Sequence, residues 1–185
     1  KGFYGQVSHL IRKKPSTRWK TIDGPLKPRM FDLVKADKSG DRQRLLFNKD
    51  ISISSLWTHP RMDLNALHAF RNGDADSLYF CHSGEGSVLT EYGLLTYRPG
   101  DYLVIQKCFA HSFVPMKDSH FLLIENFTGD YREPDRGMVG KNAFYDSAQL
   151  DVANLEALQE FLSKNKMKCL DVEVKHAGET TRFRY

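Results

Sequence analysis

Cysteine is scarce in this chain of 185 residues: Cys81, Cys108 and Cys169 are an odd number with no Cys-x-x-Cys spacing. That excludes a disulfide framework and a zinc knuckle, and it fits reduced thiols in a cytoplasmic protein. Long apolar runs are also missing. The longest, such as Phe121-Leu122-Leu123-Ile124, have the size of a strand and are too short for a membrane-spanning helix. No positive-then-apolar leader opens the sequence. Gly-x-Ser-x-Gly, a phosphate loop and His-Glu-x-x-His are all absent, and the neighbours Cys81 and His82 would point to opposite faces of a strand, so no nucleophile-base pair is visible.

What is present describes a globular protein: 41% hydrophobic and 12% aromatic residues, enough for one packed domain with an appendage and too few residues for two full domains. The net charge is +4, and the positive residues gather early, in Arg12-Lys13-Lys14, Arg18, Lys20, Lys27 and Arg29 around Trp19. No nucleic-acid module accompanies them, so they are read as a solvated arm docking on a neighbouring domain or subunit, with neither nucleic acid nor membrane as partner. The chain starts at Lys1 and ends inside the strand-like run Thr180–Tyr185, which points to a piece of a longer polypeptide.

Residues 1–44 are rich in Pro, Gly, Lys and Arg and are expected to form an irregular N-terminal arm. From Leu45 the period changes to two. Ile51-Ser52-Ile53-Ser54 alternates apolar with polar as a half-buried strand should, and strand-like runs recur at 77–82, 87–97, 102–106, 111–115 and 121–127. Short strands broken by Gly-containing turns, without strand-helix alternation, predict an all-β barrel or sandwich over 45–128. Residues 129–185 add a polar loop, a helix and strands packing on the barrel. Asp151 is the expected cap of that helix, whose apolar stripe is Val152, Leu155, Leu158, Phe161 and Leu162.

The stretch Gly100-Asp101-Tyr102-Leu103-Val104-Ile105-Gln106-Lys107-Cys108-Phe109-Ala110-His111 resembles the second motif of cupin barrels, which are jelly rolls. Its opening, Arg98-Pro99-Gly100-Asp101, is a turn in which Pro99 presets φ and Gly100 accepts φ > 0; Gly84 and Gly86 mark another structural turn. The resemblance implies a metal site of two His and a Glu on the first motif and one His on the second. Here Phe70-Arg71-Asn72-Gly73 fills the His-x-His region and Ser77 the Glu position, which leaves His111 as a vestigial ligand position. His68, Asp74 and Asp76 are the replacement ligands a salvaged site would have to recruit. His9, His59, His82, His120 and His176 show no ligand spacing and are expected to be structural.

The segment Asn72–Gly86, with Leu89-Thr90-Glu91-Tyr92-Gly93, Gly100-Asp101-Tyr102, Gly2-Phe3-Tyr4-Gly5 and Arg132-Glu133-Pro134-Asp135-Arg136-Gly137, is similar to the N-terminal half of homogentisate 1,2-dioxygenases and their bacterial relatives. The resemblance implies a larger, cytoplasmic, homo-oligomeric enzyme that uses Fe(II) and O₂ to open the ring of an aromatic substrate in tyrosine and phenylalanine catabolism. It places the iron ligands in a C-terminal cupin half, which would be the partner of this one. This chain would then hold no catalytic and no metal-binding residue and would be inactive alone. Gln106 and Cys108 stand where cupins usually have Pro and Gly. The alternative is a stand-alone, metal-free cupin that binds a small molecule or a protein; a metal-free isomerase-like cupin is disfavoured by the lack of a convergent acid-base pair.

Overall fold

A computed structural model describes residues 11–132 and 146–185, apart from Ser16, Leu26, Arg29, Phe31, Ala36, Asp37, Asp41, 62–65, Ser147, Gln149, Lys166 and Lys168. The chain forms two compact units. One comprises 1–35 and 133–148, and its described residues include a 3-10 turn, Leu33–Lys35. The first ten residues of the expected arm, with the Gly2–Gly5 motif, and residues 133–137 lie outside the described residues.

The other unit, 36–132 and 149–185, is a double-layered β-structure. Its strands are β1 (Gln43–Phe47), β2 (Ile51–Thr58), β3 (Ala66–Asn72), β4 (Asp76–Ser83), β5 (Gly86–Thr90), β6 (Gly93–Tyr97), β7 (Tyr102–Ile105), β8 (Ala110–Pro115), β9 (Ser119–Asn126), β10 (Cys169–His176) and β11 (Glu179–Arg184). One sheet has the order β1-β2-β9-β4-β7 and the other β11-β10-β3-β8-β5-β6. Neighbouring strands run antiparallel except β3 with β10, which are parallel. This is the all-β, cupin-like jelly roll that the sequence predicts, with a C-terminal helix and strands.

Register explains which side chains face inward. Ser52 and Ser77 both oppose Glu125; one step along, Ser54 and Tyr79 oppose Leu123; the next step pairs Leu56 and Cys81 with Phe121. The core therefore runs from a polar end at Ser52, Glu125 and Ser77 to an apolar cluster of Tyr79, Cys81, Val88, Tyr97, Phe121 and Leu123. The buried face of β2 is thus the serine face, while Ile51 is 41% exposed on the outside. Alternation locates a strand but does not say which face is covered.

The run expected over 87–97 is two strands, β5 and β6, because the chain reverses at Glu91-Tyr92 and Thr90 Oγ1 donates to the Gly93 carbonyl at 2.8 Å. The helix, α1 (Leu155–Lys164), is capped by Asn154, whose side chain accepts from the Ala157 N–H at 3.0 Å. Asp151 is not the cap, since Asn154 is held by a two-way backbone pairing with Leu94. No residue of α1 is fully buried: of the expected stripe Leu158 and Phe161 are half-buried, whereas Val152, which precedes the helix, Leu155 and Leu162 are exposed.

The Arg98–Asp101 turn has the expected form. Gly100 takes φ +97, the Asp101 N–H donates to the Arg98 carbonyl at 3.2 Å, and the Asp101 carboxylate accepts from the Arg98 N–H at 3.0 Å. At Gly84 a Cβ would sit 2.2 Å from Ser119 Oγ and 2.5 Å from its Cα, so the turn packs directly on the start of β9.

Candidate functional site

The positions that carry ligands in metal-binding cupins come together at the polar end of the barrel. Phe70 and Asn72 are inward residues of β3, Ser77 of β4 and His111 of β8. His111 is 3% exposed. Its Nε2 lies 2.7 Å from the Tyr79 hydroxyl, and its ring is packed edge-on to Phe70, Tyr79 and Phe113. Burial, aided by the Arg42 charge, lowers the His111 pKa to about 4, while burial pushes Tyr79 above the usual phenol range. At neutral pH both groups are uncharged, and with His111 Nδ1 facing the Phe109 carbonyl at 3.5 Å as the N–H donor, Nε2 is the acceptor for the Tyr79 hydroxyl. The lone pair that a metal would need is already engaged.

The Asn72 amide is likewise engaged, by buried neighbours. Its Nδ2 donates to Glu125 Oε1 at 2.8 Å and to Ser77 Oγ at 3.2 Å, and its Oδ1 accepts from the N–H groups of Asp74 and Ala75. Glu125, 2% exposed, also receives Arg42 Nη1 at 2.8 Å and Lys175 Nζ at 2.9 Å. One carboxylate thus holds two cations, and Lys175 is also acted on by the Asp74 carboxylate. The inward period Phe121, Leu123, Glu125 was the available signal: a charged residue falling on the apolar phase of a strand needs partners. Arg42 and Lys175 come from sequence positions 83 and 50 residues away, which is why the cluster is invisible along the chain.

The replacement candidates have other employment. Asp74 closes the β10–β11 turn by accepting from the N–H groups of Ala177 and Gly178; burial would raise its pKa, but those donors with Lys175 and His176 hold it below the usual carboxylate range. Asp76 accepts from the Lys107 N–H at 2.7 Å. His68 faces Asp171 at 3.7 Å on the barrel wall. Among the described residues, no three of His, Cys, Asp and Glu are placed to share an ion. The donor set at the motif positions, an aryl ring, a carboxamide, a hydroxyl and a hydrogen-bonded imidazole, does not fit Fe(II).

Of the remaining histidines, His9 lies outside the described residues, and His59 and His120 are held individually. His59 bridges Asp118 at 2.9 Å and the Lys38 carbonyl at 2.8 Å, contacts that raise its pKa. His120 stacks on Trp57 with ring centroids 4.5 Å apart and meets Ser55 Oγ at 2.8 Å; burial, then His82 and Lys38, lower its pKa. Cys108 has φ +69, so the residue in place of the motif's usual glycine keeps the glycine's backbone conformation.

A cavity of about 950 Å³ opens beside Tyr79 and His111. Leu56, Phe70, Phe113 and Leu123 form its apolar wall, and Arg42, Arg61, Arg182 and Arg184 bring positive charge to it.

Residues 6–178 match the family described as homogentisate 1,2-dioxygenase N-terminal. The chain belongs to that family. A protein of Saccharolobus solfataricus named as a dioxygenase is 29% identical over 180 residues, spanning 86% of this chain and 46% of that protein. A homogentisate 1,2-dioxygenase of Nitrobacter hamburgensis is 29% identical over 79 residues, 42% of this chain and 18% of that protein. The chain thus spans less than half the length of the curated relatives it matches. Solved structures that it is similar to include a double-stranded β-helix protein from Klebsiella pneumoniae (14% identity, 55% of this chain and 91% of that one, TM-score 0.45) and a cupin-2 protein from Shewanella frigidimarina (13%, 51% and 87%, TM-score 0.42).

Proposed function

We propose that this chain is the non-catalytic N-terminal cupin half of a homogentisate 1,2-dioxygenase-like enzyme, which opens an aromatic ring with Fe(II) and O₂ in cytoplasmic tyrosine and phenylalanine breakdown. The iron belongs to a C-terminal cupin half, and this half supplies support. The observation that carries the reading is the content of the motif positions. Phe70, Asn72 and Ser77 are poor iron ligands, and Tyr79 engages the one imidazole, on His111. Arg42 and Lys175 both occupy Glu125, so that buried carboxylate is not free to take a divalent cation.

A structural role also suits the outer face of the β1-β2-β9-β4-β7 sheet. Tyr102 and Val104 on its edge strand β7 are 66% and 47% exposed, and such an apolar edge is suited to packing against the catalytic half or another copy of the chain. The test is oxygen uptake with homogentisate after anaerobic loading with Fe(II). The chain alone is expected to consume no oxygen, and a polypeptide that continues into the second cupin is expected to do so. Uptake by the chain alone overturns the proposal. Inactivity of both overturns the substrate assignment.

A further inference from the structure

Part of the wall of the 950 Å³ cavity is the stretch that leads into β1: Ser39, Gly40 and Arg42 line it there, beside Trp57 and His59. That stretch is fastened at two points of different chemistry. At one, the Arg42 guanidinium donates to Glu125, whose carboxylate is 2% exposed, at 2.8 Å and lies over the Phe70 ring, 4.9 Å from its centroid. The other hold depends on a proton. His59 Nε2 faces the Lys38 carbonyl at 2.8 Å, and its Nδ1 faces Asp118 Oδ1 at 2.9 Å. Both partners are acceptors. A neutral imidazole has one N–H and satisfies one of them, whereas an imidazolium donates to both. The His59 side chain is 40% exposed and that of Asp118 67%, so water delivers and removes the proton freely.

The charged groups acting on His59 are Asp118, in the β8–β9 turn, and Lys38. The hydrogen bond to Asp118 and then that to the Lys38 carbonyl raise the His59 pKa above 6.5, against burial and the Lys38 ammonium. Gly40, at φ +87, lets the chain rest directly on the end of β2: a Cβ there would lie 3.7 Å from the Trp57 carbonyl oxygen and 3.8 Å from His59 Cδ2. Lys38 Nζ covers the Trp57 ring, 4.8 Å from its centroid. On that indole stacks His120, which meets His82 edge-on. Burial lowers the His120 pKa, so His120 titrates on the acid side of 6.5 and His59 on the other.

We propose that the stretch from Lys38 to Arg42 is a pH-sensitive strap at the cavity, latched by the His59 imidazolium between Asp118 and the Lys38 carbonyl and released when His59 loses its proton. The Arg42 anchor stays in place, while the Lys38 end lifts and Trp57 loses its cover. The device is independent of the iron chemistry assigned to the other half. Trp19 and Trp57 are the two tryptophans, so a Trp19→Phe/His82→Gln protein keeps Trp57 as its sole indole and removes the neighbouring exposed histidine. In that protein, acrylamide quenching of Trp57 should rise about twofold or more between about pH 6 and about pH 8.5, as local opening exposes the ring. The midpoint should lie above 6.5 and coincide with that of the His59 ring, followed by NMR. Adding His59→Gln removes the titrating proton and should make the quenching independent of pH over this range. Asp118→Asn, which removes the charge that favours the imidazolium and serves if the glutamine variant does not fold, should lower the midpoint by about half a pH unit or more. A His59 midpoint at or below 6.5, quenching that stays flat while His59 titrates, the same rise in a folded His59→Gln protein, or an unmoved midpoint in Asp118→Asn each overturns the proposal.

Discussion

Replacing Glu125 by Gln should be among the most damaging isosteric changes this domain can suffer. The carboxylate is 2% exposed and its Oε1 accepts from Arg42, Asn72 and Lys175. Glutamine keeps the volume and an acceptor but removes the charge, leaving two cations facing one another across a neutral amide. Breaking a buried ion pair by removing one partner costs about 3–5 kcal/mol. Arg42 and Lys175 retain side-chain exposures of 27% and 15%, so water relieves part of that cost. A destabilisation of about 3 kcal/mol follows, equivalent to a fall of roughly 6–12 °C in Tm for a domain of this size. Lys175→Met leaves Glu125 with Arg42 and Asn72 and should cost only about 1–2 kcal/mol. In the Glu125→Gln/Lys175→Met double variant the orphaned ammonium is gone, so the combined loss should be smaller than the sum by about 1 kcal/mol or more. Urea unfolding of the four proteins at neutral pH measures all of these. A Glu125→Gln variant within about 0.5 kcal/mol of the parent, as for an ordinary surface change, would refute the reasoning, and so would strict additivity.

Other substitutions probe the turns and His111. Gly84→Ala should yield little folded protein, because the new Cβ meets Ser119 backbone at 2.5 Å, whereas Gly100→Ala has open space and should lose only about 1–2 kcal/mol for its positive φ; parallel thermal melts distinguish the two. At Cys108, φ +69 predicts that Cys108→Gly is neutral or mildly stabilising and that Cys108→Val costs about 1–2 kcal/mol in the same assay. The His111 pKa of about 4 lies below its ordinary value of 6.5, so the unfolded chain binds the proton more readily, and this contribution to stability is present above pH 6.5 and lost as pH falls towards 4. The loss amounts to about 3 kcal/mol, and stability-versus-pH curves of His111→Gln should lack it.

The strands and the Arg98–Asp101 turn were legible because their signals are local: period two, β-branched residues, and Pro followed by Gly. The β1 and β3 strands were not. Gln43–Phe47 has an irregular register against β2, and Ala66–Asn72 mixes polar residues into both faces because its inward side lines a cavity. Ile51 and Ile53 were natural candidates for the core, yet Ser52 and Ser54 face it, since β2 meets Glu125 at the polar end. The substitutions at the motif positions were readable from sequence. Their replacement by an ion-pair cluster was not, because Arg42, Glu125 and Lys175 meet only through tertiary pairing.

Iron stoichiometry tests the central claim most directly. The chain and its His111→Gln variant are loaded anaerobically with Fe(II), freed of excess metal and assayed by elemental analysis. Because Tyr79 engages His111 and the neighbouring motif positions carry Phe70, Asn72 and Ser77, both proteins should retain far less than one iron per chain and should not differ. One tightly held iron per parent chain, lost in a His111→Gln variant that remains folded, would contradict the account.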